Sequence, residues 1–371
     1  MTLAKDKSIG IVGAGVSGLL LANKLVDQGY QVSLFGKKDE RNQILGTWRD
    51  SITPSPQIDH LLGSWKSWEF GFDKDNFLQT GTNYRYEVID GRAMKNSIEG
   101  SLQKNTMCLR TTENVTKIKE QTENFVVSCG ERVGSVEVDF LVDTRPPKRG
   151  NTCCVQQFVG LYLKIPPSDI GLVRPLIMDY GPWQAEQEKS VFIYALPLSS
   201  DRVLIEATAF DNEVREEEYF IGHIENWLAL RTGQSFPNKI ECKESGILPM
   251  GETEPLFRIE NSFGAAGGAT RPATGYTLQG IERQLLVADL WTLSGGIPNF
   301  KFSKLSQFMD SKFLRVLHNE PDSMKEIFLK MAEGMTGDDF AKFLTDKFDI
   351  LIAAKVIFKM PKLLFLRNYY R

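Results

Sequence analysis

The hydrophobic pattern is sharpest near the start of the chain. "SIGIVGAGVSGLLLANKLVDQGYQVSLFG", residues 8–36, opens with a short apolar run and breaks at glycines. It continues with apolar positions at helical spacing, stops at Gly29 and resumes as a second apolar run. This order reads as a βαβ unit. Gly13, Gly15 and Gly18 keep the G-x-G-x-x-G spacing, and each glycine has its own job. Gly13 makes the tight turn, Gly15 lets a pyrophosphate approach the backbone, and Gly18 lets helix pack on strand. With Ala14 and Ser17 they form a cradle that places phosphate at a helix N-terminus, so dinucleotide binding is expected. Where an acid usually holds the ribose, the second strand ends in Gly36, Lys37 and Lys38. Three readings stand: Asp39 or Glu40 reaches back, other contacts serve, or the lysines read a 2′-phosphate and the ligand is NADP. Lys37 and Lys38 as a solvated turn is the plainer reading.

Further along the pattern changes. "LLGSWKSWEFGF" (61–72) is rich in Trp and Phe without clean periodicity, "NYRYEVIDGRAMKNSIEG" (83–100) predicts strand, turn and helix, and 114–144 predicts strands joined by short turns. "DFLVDT" (139–144) is expected to return to the dinucleotide sheet. Residues 151–256 read as an antiparallel sheet with "SSD" in a hairpin and an amphipathic helix over 213–233. A second glycine cluster, "SFGAAGGATRPATGYT", brings Gly267, Gly268, Thr274, Gly275 and Tyr276 into a loop ahead of a helix. Glycines returning this far from the first unit favour a long dinucleotide bound at both ends, and FAD fits better than NAD. Residues 296–371 have a helical pattern.

The resulting expectation is an α/β chain. A discontinuous nucleotide-binding domain takes residues 1–50, 80–150 and 257–295, an inserted antiparallel substrate domain takes 51–79 and 151–256, and a helical region takes 296–371.

Composition narrows the partners. At 42% hydrophobic and 25% charged the chain is ordinary globular protein, and a net charge of −3 provides no general attraction to nucleic acid. Five cysteines without a CxxC pair point to a reducing, cytoplasmic setting and no cysteine metal site. The N-terminus reads as the start of a fold rather than a signal peptide, and no apolar run reaches the ~18 residues of a membrane span. "LIAAKVIFKMPKLLFLRNYYR" (351–371) mixes Lys355, Lys359, Lys362, Arg367 and Arg371 with Phe358, Phe365, Tyr369 and Tyr370 and has no acid. That suits peripheral attachment to an anionic membrane surface, and equally a docked helix with solvated lysines.

Taken in order, "GAGVSG", "FVG…MDY…YALPLS", "LIEAT", "GILPM" and "GAAGGATRPATGYT" resemble the FAD-dependent lycopene cyclases of the bacterial and plant β-cyclase family, over nearly the whole chain. The resemblance implies a hydroxylase-like flavoprotein fold, membrane association, a carotenoid substrate resembling lycopene, and reduced FAD as the active cofactor with NAD(P)H as reductant. The implied reaction is cyclisation of an acyclic ψ-end, most simply to a β ring, without net redox change. The family's acid motif falls on Leu204-Ile205-Glu206-Ala207-Thr208, and Glu206 takes the place of its catalytic first acid. Ala207 stands where plants carry a second acid, so any role of that group is absent or passes to another residue such as Asp179.

Glu206 is the odd residue of "RVLIEATAF" (202–210), an ionisable acid among residues that avoid water. Strand alternation puts Leu204, Glu206, Thr208 and Phe210 on one face. Protonating an alkene needs a neutral carboxylic acid in a dry cavity, and burial can supply that by raising a glutamate pKa of ~4.3 by several units. Trp65, Trp68 and Trp183 are candidate cavity aromatics, and reduced flavin is a candidate negative charge near the cation. A flavin monooxygenase or halogenase of the same fold, a cyclase of a different polyene, and a carotenoid or lipid carrier are the competing readings. The halogenase-type W-x-W-x-I-P is absent.

Overall fold

The computed structural model describes the chain except residues 1–6, 73–74, 131–133, 150–153, 184–189, 234–238, 252, 255–260, 295–299 and 369–371. Cys153, Tyr369, Tyr370 and Arg371 lie outside the described residues.

The strands are β1 (Ser8–Val12), β2 (Gln31–Phe35), β3 (Ile44–Asp50), β4 (Leu61–Trp65), β5 (Ser67–Phe72), β6 (Asp75–Thr80), β7 (Tyr84–Asp90), β8 (Cys108–Thr111), β9 (Val115–Glu120) and β10 (Phe125–Cys129). They continue as β11 (Ser135–Val138), β12 (Phe140–Asp143), β13 (Lys148–Arg149), β14 (Cys154–Leu163), β15 (Leu176–Tyr180), β16 (Val191–Pro197), β17 (Val203–Asp211), β18 (Ile240–Met250) and β19 (Thr253–Glu254). The helices are α1 (Val16–Asp27), α2 (Gly91–Lys104), α3 (Glu217–Thr232), α4 (Leu278–Ser294), α5 (Lys304–Asn319), α6 (Met324–Gly334), α7 (Gly337–Leu344), α8 (Ile350–Lys359) and α9 (Lys362–Arg367).

The expected βαβ unit forms: β1 pairs in parallel with β2, and β12 returns in parallel to the other side of β1, giving the order β12-β1-β2-β8. Its apolar runs are buried on both faces, as a parallel sheet requires. The meander β9-β10-β11 packs Val127, Cys129 and Val138 against Val12 and Phe35 at the end of that sheet.

A seven-stranded sheet, ordered β18-β14-β17-β16-β15-β5-β6, forms the second layer. The aperiodic Trp- and Phe-rich stretch supplies its β5, where Trp68, Phe70 and Phe72 are buried on one face. The sheet has two different sides. Ile193, Ile205 and Ala207 pack beneath α3, with Phe220, Ile224 and Trp227 of that helix. Leu204, Phe210 and Phe192 join Trp48 and the C-terminal helices on the opposite side. The alternation expected for β17 is the one found.

Buried ion pairs tie the layers together. Arg49 of β3 joins Glu87 of β7 (3.0 Å) and Glu282 of α4 (2.8 Å). Arg271, in the loop before α4, pairs with Asp310 of α5 at 2.8 Å and also donates to the carbonyl of Phe343 in α7. These links tie α4 and its preceding loop to a third sheet, ordered β3-β7-β4, and to the C-terminal helices.

Candidate functional site

A cavity of about 1570 Å³ lies between the end of the first sheet and the seven-stranded sheet, with β3, β7 and helices α5–α7 completing its walls. That exceeds the ~300–1,000 Å³ of a site for one small molecule, leaving space for a dinucleotide and a second ligand together.

One end is the glycine cradle. Gly13 has φ +114°, a conformation that favours glycine, and its N–H donates to the carbonyl of Phe35 at 2.8 Å. A Cβ on Gly18 would stand 1.9 Å from the Gly13 oxygen, so the close helix packing needs hydrogen there. A Cβ on Gly15 would meet nothing within 4 Å, because that residue faces the open cavity. Gly15 is also the N-cap of α1; no side chain caps the helix and no acid stands in its first turn. The first-turn N–H groups therefore remain available to an anion. This donor set fits a diphosphate, with Ala14 and Ser17 also lining the cavity.

Asp39 lines the cavity beside this cradle, with Lys95 at 2.9 Å and Arg41 at 2.8 Å from its carboxylate. Burial opposes its charge, but bonds to Arg41 and Lys95 prevail and hold its pKa far below the usual carboxylate range. Asp39 thus presents an ionised acceptor to the cavity beside the cradle. Gly36 has a steric reason for replacing the usual acid: its φ is +136°, and a Cβ would come within 3.2 Å of the Ala14 nitrogen. Lys38 pairs with Glu40 at 3.7 Å as part of an exposed turn.

The second glycine loop forms another wall. Gly268, Thr274, Gly275 and Tyr276 line the cavity. Gly267 instead packs on backbone, where a Cβ would lie 2.5 Å from the Ser262 carbonyl oxygen.

Glu206 projects from β17 into the far part of the cavity. Its lateral neighbours are Tyr194 on β16 and Gly160 on β14, and Thr208 donates to its Oε1 at 2.6 Å. Burial, and after it the charge of Glu244, raises its pKa from 4.5 to about 8, while the Thr208 hydroxyl opposes the rise. The neutral form is therefore favoured at pH 7, where an ordinary glutamate would be ionised. The carboxyl is an acid that keeps its proton. Tyr86 and Tyr194 join hydroxyl to hydroxyl at 2.8 Å, and burial raises the pKa of both and of Tyr276. These phenols line the cavity as neutral groups.

Two expectations are corrected. Asp179 is on the other side of the large sheet: it pairs laterally with Ile193, which faces α3, and its carboxylate accepts from the Trp227 indole N–H (2.8 Å) and the Gly181 N–H (2.8 Å). The expected tryptophans do not line the cavity either. Trp68 is buried behind Trp48 and donates to Gln79, Trp183 packs against His223 on the α3 side, and Trp65 folds over Gly63. The aromatic wall near Glu206 is instead Tyr86, Phe192, Tyr194, Phe210, Tyr276 and Phe328.

Sequence reasoning also passed over Glu244. It stands on β18 opposite Gly160, on the same sheet face as Glu206, and lines the cavity. Alternation through Glu244, Gly246, Leu248 and Met250 was the available signal.

Residues 8–294 match a family model described as lycopene cyclase protein. The chain belongs to the lycopene cyclase family. Among curated members, "Lycopene beta cyclase, chloroplastic" of an Oncidium hybrid cultivar is 23% identical over 307 residues, 76% of this chain and 62% of that protein. "Lycopene beta-cyclase" of Pseudescherichia vulneris is 31% identical over 159 residues, 39% of this chain and 38% of that protein. The aligned part is less than two thirds of either relative's length. Solved structures share the flavoprotein fold. A geranylgeranyl bacteriochlorophyll reductase-like protein of Thermoplasma acidophilum superposes with a TM-score of 0.63 at 10% identity, covering 97% of this chain and 98% of the other. HpxO of Klebsiella pneumoniae, solved with FAD and uric acid, gives 0.61 at 11% identity, with 97% and 99% covered.

Proposed function

We propose that this member of the lycopene cyclase family cyclises an acyclic carotenoid ψ-end, with reduced FAD in the cavity and NAD(P)H as the source of its electrons. The observation that carries this reading is Glu206, a carboxyl that keeps its proton at neutral pH in an aromatic cavity continuous with the glycine cradle.

FAD would lie with its diphosphate at Gly13–Ser17, its ribose toward Asp39 and its other end against the loop of Gly268, Thr274, Gly275 and Tyr276. When bound in reduced form, the cofactor supplies negative charge to the cavity.

The chain's own groups account for the chemistry. Glu206 donates its proton to the terminal double bond of the ψ-end. The next double bond attacks the resulting cation and closes the ring, and a ring proton returns to the Glu206 carboxylate, which restores both an alkene and the acid, so no electrons are gained or lost. The faces of Phe192, Phe210 and Tyr194 offer the cation π-density, an interaction worth ~2 kcal/mol or more when desolvated. The Tyr86–Tyr194 hydroxyl bond uses one donor and one acceptor of the pair, which leaves fewer positions for water that would trap the cation.

The membrane is the proposed source of the substrate. Among the described residues no helix is long and apolar enough to cross a bilayer. Helices α8 and α9, however, expose Ile350, Leu351, Ile357, Phe358, Leu363 and Leu366 alongside Lys355, Lys359 and Lys362. A face that is both apolar and cationic suits the interface of an anionic bilayer.

The test is anaerobic incubation of the protein with lycopene liposomes, FAD and dithionite, followed by chromatography. Cyclic carotenes of unchanged mass are expected from the wild type and not from Glu206→Gln with FAD bound. Full activity in that variant, or turnover that requires oxygen, overturns the reading.

A further inference from the structure

Two carboxyls, not one, face the aromatic cavity, and a glycine separates them. Gly160 of β14 lies directly opposite Glu206 of β17 on one side and Glu244 of β18 on the other. Laterally paired residues point to the same sheet face, so both acids stand on the cavity side, two strand spacings or about 9–10 Å apart at the backbone. Gly160 itself puts no side chain between them, and Leu204 Cδ1 closes in on that position, 3.0 Å from where a Cβ would stand. A Cβ at Gly160 would come within 3.1 Å of Glu244 Cγ and 3.5 Å of its Oε1, which shows the Glu244 side chain leaning over the gap.

The two acids differ in their donors. Glu244 Oε2 accepts from the Tyr162 hydroxyl at 2.8 Å and the Ile44 N–H at 3.0 Å, whereas Glu206 receives only the Thr208 hydroxyl among the described residues. Donors favour the ionised form, so a single proton shared by this pair resides on Glu206 and the charge on Glu244.

We propose that Glu244 is the positioning residue of the site: ionised across the Gly160 gap, it keeps the proton on Glu206. The proposal rests on the reading of Glu206 as the acid and adds the reason why it stays one. A unit charge at that separation, in surroundings of effective dielectric about 20, raises the partner's proton affinity roughly ten- to twentyfold. The other groups facing Glu206 are the neutral phenols of Tyr194 on β16, Tyr86 on β7 and Tyr276 before α4. Asp90, at the end of β7, acts on Glu244 and adds further negative charge. Burial is the main cause of the raised pKa of both acids, about 8 for Glu206 and about 7 for Glu244.

The experiment is an infrared titration of the purified full chain, following the protonated-carboxyl band that disappears in Glu206→Gln. In Glu244→Gln its midpoint is expected to fall by about one pH unit. Tyr162→Phe removes one donor from Glu244 and should move the midpoint the same way by less, providing a milder variant if Glu244→Gln folds poorly. In cyclisation assays the ratio of activity at pH 6 to that at pH 8 should rise about fivefold in Glu244→Gln, since the acid then titrates near 7 instead of near 8. Unchanged midpoints in both variants overturn the role of Glu244 and leave Glu206 as the acid. Cyclisation by Glu206→Gln is a separate failure, that of the functional reading itself.

Discussion

Glu206→Gln should make the protein more stable, and increasingly so as pH rises. Folding raises the pKa of Glu206 from 4.5 to about 8, so between those values the folded chain holds a proton that the unfolded chain has released. Stability then falls with rising pH, because the unfolded state binds fewer protons than the folded one. The contribution is fully present below about pH 4.5 and fully lost above about 8. At about 1.4 kcal/mol for each tenfold change in proton affinity, ionising Glu206 inside the folded protein costs on the order of 5 kcal/mol. Glutamine keeps the shape and has no proton to lose. Urea unfolding of both proteins at pH 5.5, 6.5, 7.5 and 8.5 isolates this effect, because other titrating groups are shared and largely cancel in the difference. The advantage of the variant should grow by roughly 3 kcal/mol from pH 5.5 to 8.5. A difference that stays constant over that range would refute the claim that Glu206 is held protonated by the fold.

The cradle, the layer contacts and the membrane face each give a further test. Gly15→Val should fold as the wild type does, because the position is open, yet lower FAD affinity at least tenfold in fluorescence titration; unchanged affinity would remove the cradle from the flavin site. Gly18→Ala should cost stability as well as binding, since its Cβ meets the Gly13 carbonyl oxygen, and equal melting temperatures would contradict that packing. Asp310→Asn leaves the buried Arg271 charge without its carboxylate and should lower unfolding free energy by about 3–5 kcal/mol, measured by urea denaturation. Phe358→Glu combined with Leu363→Glu should reduce flotation with anionic vesicles at least tenfold while leaving the circular dichroism spectrum unchanged; undiminished flotation would place membrane contact elsewhere.

The parts legible in the sequence were those whose cause is local. The βαβ unit declares itself because glycine spacing, helical period and apolar runs fall within residues 8–36, and the face of Glu206 follows from alternation along one strand. Asp179 was misplaced because an acid's face depends on register, and β15 changes register against both its neighbours between Leu176 and Asp179. The tryptophans were misplaced because a large apolar ring fits a core as well as a cavity wall. Which of the two it occupies is decided by Trp48 and α3, both distant in sequence from Trp68 and Trp183. Tyr86 and Tyr194 come from different sheets and meet only after folding, so no single segment contains their pairing.

The strongest sign that this cavity works is the concentration of locally unfavourable choices around it. A carboxyl in a β-strand core costs several kcal/mol once ionised, a glycine in mid-strand at Gly160 weakens its sheet, and a helix N-terminus without a side-chain cap leaves N–H groups unpaired. Glutamine at 206 or serine at 15 would relieve two of them, and Gly160 is held small by Leu204 and Glu244, which a Cβ there would meet at 3.0 and 3.1 Å. All three stand on the walls of one cavity or directly beneath its acids. Chains tolerate such conflicts where function requires them and resolve them elsewhere, as the paired and buried Arg49, Glu87, Arg271 and Asp310 do in the body of this fold.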